Sequence, residues 1–115
     1  MKRGEVWWAD LSPRSGSEQR GRRPVVIVSH DAFNQTEAWQ SIIVVPFSTS
    51  VTQSRRGPTA PSLPRGAAGL PRGSVALCHQ VTTLDRSKLT QSIGTLPADA
   101  QQLVEDGLKA ALCLS

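Results

Sequence analysis

The sequence predicts a β-rich chain closed by one helix, folded as a small, strongly curved sheet or barrel. Two nearly continuous apolar runs, Arg23-Pro24-Val25-Val26-Ile27-Val28-Ser29 and Ser41-Ile42-Ile43-Val44-Val45-Pro46-Phe47, read as strands covered on both faces and paired in one sheet. Near the end, Leu103, Val104, Leu108, Ala111 and Leu112 recur at helical spacing, opposite a polar face of Gln101, Gln102, Glu105, Asp106 and Lys109. With 115 residues and short elements throughout, the chain fits one domain over residues 1–115.

The elements follow in order. Gly4 to Leu11 alternates apolar Val6, Trp8 and Leu11 with polar positions, and its aromatic and β-branched content favours a strand. Ser15 to Arg22 has two glycines and no apolar residue, so it is expected as an exposed, flexible loop. His30 to Gln40 holds room for a short helical turn between the two apolar runs. Thr52 to Gly73, with four prolines, four glycines and four arginines, is expected to be weakly ordered, a basic flap. Pro61 and Pro64 lack ladder donors, so any strand between Thr59 and Leu63 belongs at a sheet edge. Ser74 to Thr83 reads as one strand, with Val75, Leu77, His79 and Val81 facing inward and Ser74, Ala76, Cys78 and Gln80 outward. A helical turn at Asp85 to Leu89 and a short strand at Gln91 to Leu96 precede the helix. There Pro97 suits the N-terminus, Asp99 complements the dipole, and Gly107 is placed for close approach of a neighbouring backbone.

Composition narrows the partners. Charged residues are 19% and apolar residues 38% of the chain, outside both the disordered-polyelectrolyte and the membrane classes, and no apolar run reaches spanning length. The N-terminus alternates polar and apolar residues instead of opening a signal-peptide core, and Cys78 and Cys113 stand alone. Reduced core thiols in a cytoplasmic protein are therefore expected, with no disulfide framework and no zinc-ligand pattern. A net charge of +4, with Arg as ten of thirteen cations, favours a polyanionic partner, because the guanidinium fork grips phosphate bidentately. Walker, GxGxxG, HExxH and GxSxG motifs are absent, which argues against nucleotide hydrolysis, dinucleotide binding, zinc proteolysis and ester hydrolysis.

Arg23 is the sharpest chemical candidate, since it stands where a polar loop meets a buried strand and Pro24 restrains its backbone. Ser48, Thr49 and Ser50 leave the second apolar run as three successive hydroxyls able to orient a phosphate oxygen, or simply to begin a polar loop. RNA cleavage needs no external nucleophile, because the neighbouring ribose 2′-OH attacks phosphorus once its proton is removed, the leaving oxygen is protonated and charge on the phosphorane is stabilised. Glu18 is the loop's one carboxylate and a candidate base, or a solvated side chain. His79 and His30 can carry protons but form no evident pair. Gln80 is placed to bond a base edge, and Trp7, Trp8 and Trp39 can stack on unpaired bases or serve the core.

The order of motifs resembles the MazF/PemK toxin family. The resemblance rests on Arg3-Gly4-Glu5-Val6-Trp7, Ala9-Asp10-Leu11-Ser12-Pro13, Gly16-Ser17-Glu18-Gln19, the first apolar run, Val44-Val45-Pro46-Phe47-Ser48 and Gln80-Val81-Thr82-Thr83-Leu84-Asp85, and covers nearly the whole chain. It implies an SH3-like barrel of five to seven strands with short helices and a C-terminal helix, forming a homodimer. It also implies metal-independent cleavage of single-stranded RNA at short sequences, giving a 2′,3′-cyclic phosphate and a 5′-hydroxyl, with no cofactor and with a cognate antitoxin on the RNA groove. By position, Arg23 matches the arginine implicated in transition-state stabilisation. Ser48 stands where the family usually has threonine, so either Ser48 or the adjacent Thr49 supplies the hydroxyl. Ser17, Glu18, Gln19 and Gln80 match positions along the RNA path. The Thr52 to Gly73 stretch departs from the family pattern, and its arginines can alter which RNA is cut. Relatives of this architecture also inhibit DNA gyrase by protein contact, a non-catalytic alternative that fold alone does not exclude.

Overall fold

The computed structural model describes residues 1–13, 15, 16 and 18–115. Among them, seven strands form one antiparallel, curled sheet: β1 (Glu5–Asp10), β2 (Arg22–Ile27), β3 (Ser41–Ser48), β4 (Ser62–Leu63), β5 (Ser74–Ala76), β6 (Thr82–Asp85) and β7 (Leu89–Thr95). A short helix, α1 (Asp31–Asn34), follows β2, and α2 (Ala98–Leu112) closes the chain. The order across the sheet is β4-β5-β3-β2-β1-β7, with β6 also on β3. The β-rich barrel class with a C-terminal helix is thus the fold found.

The two apolar runs pair as expected, with Val25 facing Pro46, Val26 facing Val45 and Ile27 facing Val44. Their side chains divide between two cores. Val26, Val45 and Phe47 join Val6, Leu70, Leu96 and Val104 on the α2 side, whereas Val25, Ile27 and Val44 join Ala9, Leu11, Ile42 and Leu84 on the other. Burial on both faces explains why these strands carry no polar alternation. In β1 the register against β7 shifts after Val6 and again after Trp8, so Val6 and Ala9 are both buried and the simple alternation through Trp8 is broken.

Three sequence expectations are corrected. Ser74 to Thr83 is not one strand: β5 and β6 lie on the same edge of β3, separated by a 3-10 turn at Cys78–Gln80. Val44 faces Thr82 and Phe47 faces Ala76, so β3 needs three fewer residues than its partner segment, and the turn takes up the surplus. Consequently Ser74, Ala76 and Cys78 are buried rather than outward, and His79 is exposed rather than inward.

Thr52 to Gly73 is packed, not a loose flap. Ala60, Leu63 and Leu70 are buried, 3-10 turns run over Gln53–Thr59 and Ala67–Gly69, and β4 occupies the sheet edge, as its prolines require. Gly107 of α2 makes room for this segment, because a Cβ there would lie 2.7 Å from Cys78 Sγ and 3.2 Å from both the Pro58 carbonyl oxygen and Pro61 Cδ. Gly94 in β7 does the same for the second turn, where a Cβ would meet the Ala68 carbonyl oxygen at 2.6 Å.

On α2 itself, Val104, Ala100 and Gly107 are buried, but Leu103 and Leu112 are about half exposed, at 48% and 53%. The apolar stripe is wider than the surface beneath it. Pro97 and Asp99 take the expected N-terminal places. The connection from α1 to β3 is held by Arg86, whose guanidinium donates to the carbonyl oxygens of Phe33, Asn34, Thr36 and Trp39 at 2.6–3.1 Å.

Candidate functional site

The same pairing that builds the core builds the site. Continuing the β2–β3 register two residues beyond Val25 and Pro46 sets Arg23 opposite Ser48, at the ends of their strands. There Arg23, Ser48 and Thr49 line one cleft of about 160 Å3 with Trp8, Arg22, Arg72 and Ser74. The three residues expected to be catalytic are therefore brought together.

Their hydrogen bonds differ. Arg23 donates through Nε to the Arg20 carbonyl oxygen at 3.1 Å, which orients the fork and leaves its two terminal nitrogens without a partner among the described residues. Ser48 is 7% exposed, and its Oγ accepts from the Ser50 N–H at 3.1 Å. Having spent a lone pair, that hydroxyl still has its proton to donate. Thr49 is exposed, and its side chain makes no hydrogen bond among the described residues.

Two cleft cations were not singled out from the sequence. Arg22 lies 4.3 Å from the centroid of the Trp8 ring and donates to Gln91 Oε1 at 3.3 Å, so Trp8 serves as a platform for a guanidinium. Arg72 reaches the cleft from the Pro/Arg-rich segment, and its guanidinium has no partner among the described residues. The signal for Arg22 was its adjacency to Arg23 at a strand start. For Arg72 the signal was only its place among the four arginines of that segment, because its position depends on how the segment packs.

The expected RNA-path residues lie elsewhere. The Gln19 N–H donates to Gln80 Oε1 at 2.8 Å, tying the β1–β2 connection to the turn between β5 and β6. Glu18 Oε1 accepts from Ser15 Oγ at 3.3 Å. None of the three lines the cleft, and Ser17 lies outside the described residues. Among the described residues, the cleft lining contains no carboxylate.

Of the histidines, His30 Nδ1 accepts from the Ala32 N–H and so caps α1. His79 is shifted below the usual imidazole range by partial burial and by the nearby Arg56 cation, which favours its neutral form. Cys78 is buried, its thiol 3.6 Å from the Val104 carbonyl oxygen, and burial pushes its pKa up to about 11. Neither Cys78 nor Cys113 is in a disulfide. Among the described residues no group of three or more His, Cys, Asp or Glu side chains is arranged to hold a metal ion, and no helix is long and apolar enough to cross a membrane.

A curled antiparallel sheet that gathers three arginines and several hydroxyls in one cleft defines a class: small β-barrel proteins equipped to grip phosphate. Residues 2–112 match the family model of the PemK-like, MazF-like toxin of type II toxin-antitoxin systems. The chain is 35% identical to the endoribonuclease EndoA of Bacillus subtilis over 114 residues, covering 99% of this chain and 96% of that one. Among solved structures, MazF from Deinococcus radiodurans superposes with a TM-score of 0.81 at 26% identity, covering 99% of this chain and 97% of the other. A MazE-MazF structure from the same organism does so at 0.75 and 28% identity, covering 100% and 97%. The chain belongs to the MazF-like toxin family, as an endoribonuclease toxin.

Proposed function

We propose that this toxin cuts single-stranded mRNA at a short sequence without a metal ion, by attack of the ribose 2′-OH on the adjacent phosphorus. The 2′-oxygen bonds to phosphorus and its proton leaves to a base. The bond to the 5′-oxygen breaks, that oxygen takes up a proton, and the products are a 2′,3′-cyclic phosphate and a 5′-hydroxyl. Arg23 and Ser48 carry the reading: a guanidinium with two donor nitrogens and a hydroxyl with a proton, all unspent among the described residues, meet in one cleft. Both donate to oxygens on which negative charge grows during the displacement. Fixed by the Ser50 N–H, Ser48 takes the role over its neighbour Thr49. Arg72 and Arg22 add positive charge around the same phosphate.

In this reading the RNA continues past the tied Gln19–Gln80 pair and Glu18, with Ser17 assigned to the path by its family position. The partner is the cognate antitoxin of the pair, consistent with the family and with the solved MazE-MazF assembly of a relative. A homodimer gives the exposed Leu103 and Leu112 of α2 a cover. Two unpaired cysteines fit a single-domain, cytoplasmic protein.

Incubation of a defined RNA with purified protein in EDTA, with both ends mapped, tests the assignment. Wild type is expected to leave 5′-hydroxyl ends, Arg23→Ala to lose about 100-fold in rate, and Ser48→Ala to lose more than Thr49→Ala. Equal cutting by Arg23→Ala rejects the arginine's role, and an unaffected Ser48→Ala variant rejects the choice of hydroxyl.

A further inference from the structure

A second cleft, of about 270 Å3, opens beside the first and shares Ser48, Thr49 and Ser74 with it. Its remaining lining includes Ser50, Ser54 and Ser62 over an apolar floor of Leu63 and Val75. The sheet explains its place. Ser48 faces Val75 across β3–β5, and Val75 faces Ser62 across β5–β4, so the row that begins at Arg23 and Ser48 runs on to Ser62. Cross-strand partners share a face, and two strand spacings put Ser62 about 10 Å beyond Ser48.

The hydroxyls there are not alike. Ser48 and Ser50 each accept from a backbone N–H, at 3.1 Å and 3.3 Å, which leaves their protons to donate. Ser54 and Ser74 each donate to a backbone carbonyl, of Val51 and Arg72, which leaves their lone pairs to accept. Ser62 is exposed and uncommitted in either sense among the described residues. An apolar floor rimmed by separate donors and acceptors suits a nucleobase, which offers a face for packing and an edge of both kinds of group. A phosphate is less well served, because among the described residues the lining holds no cation.

Resting on the cleavage reading above, we propose that this hydroxyl-lined cleft receives the base next to the scissile phosphate. Ser62 and Ser54 read that base's edge and so help set the sequence that is cut. The phosphate sits at Arg23 and Ser48, and the chain crosses Val75 with its neighbouring base held towards β4.

The test is an RNA pool randomised around the cut, digested by wild type, Ser62→Ala, Ser54→Ala and Ser62→Phe, with the ends sequenced. The readout is the ratio of bases at each position, not the total rate. Ser62→Ala or Ser54→Ala is expected to flatten the preference at one position flanking the cut by about tenfold while the other positions keep theirs. Ser62→Phe, which fills the cleft, is expected to change that same position most. Unchanged base ratios in all three variants overturn the proposal, as does a uniform loss of cutting with no change of ratios. Absence of cut ends from wild type itself overturns the cleavage reading and this subsite with it, whereas intact wild-type cutting with unchanged ratios overturns the subsite alone.

Discussion

Ser48 gains its proposed part from one backbone contact. The Ser50 N–H occupies a lone pair of its Oγ and restrains the hydroxyl at the end of a buried strand, which leaves its proton available to whatever fills the cleft. Thr49 has the same functional group without the restraint, and a freely rotating hydroxyl must be ordered before it helps. Cys78 shows how burial has the opposite effect on a reactive group. With its pKa near 11, the thiolate form is suppressed at neutral pH. A thiol reagent is therefore expected to label the exposed Cys113 alone in the folded protein and both cysteines after denaturation, a count readable by mass; two fast labels in the folded state would contradict the packing. The sign for stability follows. The unfolded thiol ionises near the ordinary thiol value of 9.0 while the folded one keeps its proton, so this contribution is intact below about pH 9 and is lost as pH rises towards 11.

At the level of elements, Gly107 decides how α2 meets the Pro/Arg-rich segment. Replacing it with Ala improves helix propensity by about 1 kcal/mol, yet the added methyl would press on buried Cys78 and on the Pro58 carbonyl, costing about 1–3 kcal/mol. Net destabilisation of Gly107→Ala, measured by urea unfolding, is the expected result, and a more stable variant would mean that the segment does not rest on the helix. This glycine was legible in the sequence because it fell on the apolar stripe of a clearly periodic helix. So were β2 and β3, where burial on two faces writes itself as an unbroken apolar run, but the register that sets Arg23 opposite Ser48 was not, because a run apolar on both faces does not fix it. The break in Ser74 to Thr83 was not legible, since alternation looks the same whether a strand continues or turns, and only the pairing with β3 exposes the three surplus residues. Thr52 to Gly73 misled for a related reason. Its composition is that of a loop, and its order comes from contacts with α2 and β7 that no local pattern records.

Across the whole molecule, one row of the sheet links the features that matter. From β2 to β4 it passes an arginine, a buried serine, a valine floor and an exposed serine, and Arg22 and Arg72 flank its charged end. A chain of net charge +4 that concentrates three arginines at one cleft should bind RNA in a salt-dependent way, because each phosphate neutralised releases counterions. The central claim is that the RNA supplies its own nucleophile while the protein supplies only charge, hydroxyls and position. Its most direct measurement uses an RNA with a single 2′-deoxynucleotide immediately 5′ of the cut, compared with the all-ribose RNA in EDTA. The modified RNA is expected to bind and not to be cut at that bond, while its parent yields a 2′,3′-cyclic phosphate end. Cleavage of the deoxy-substituted bond at a comparable rate would contradict it.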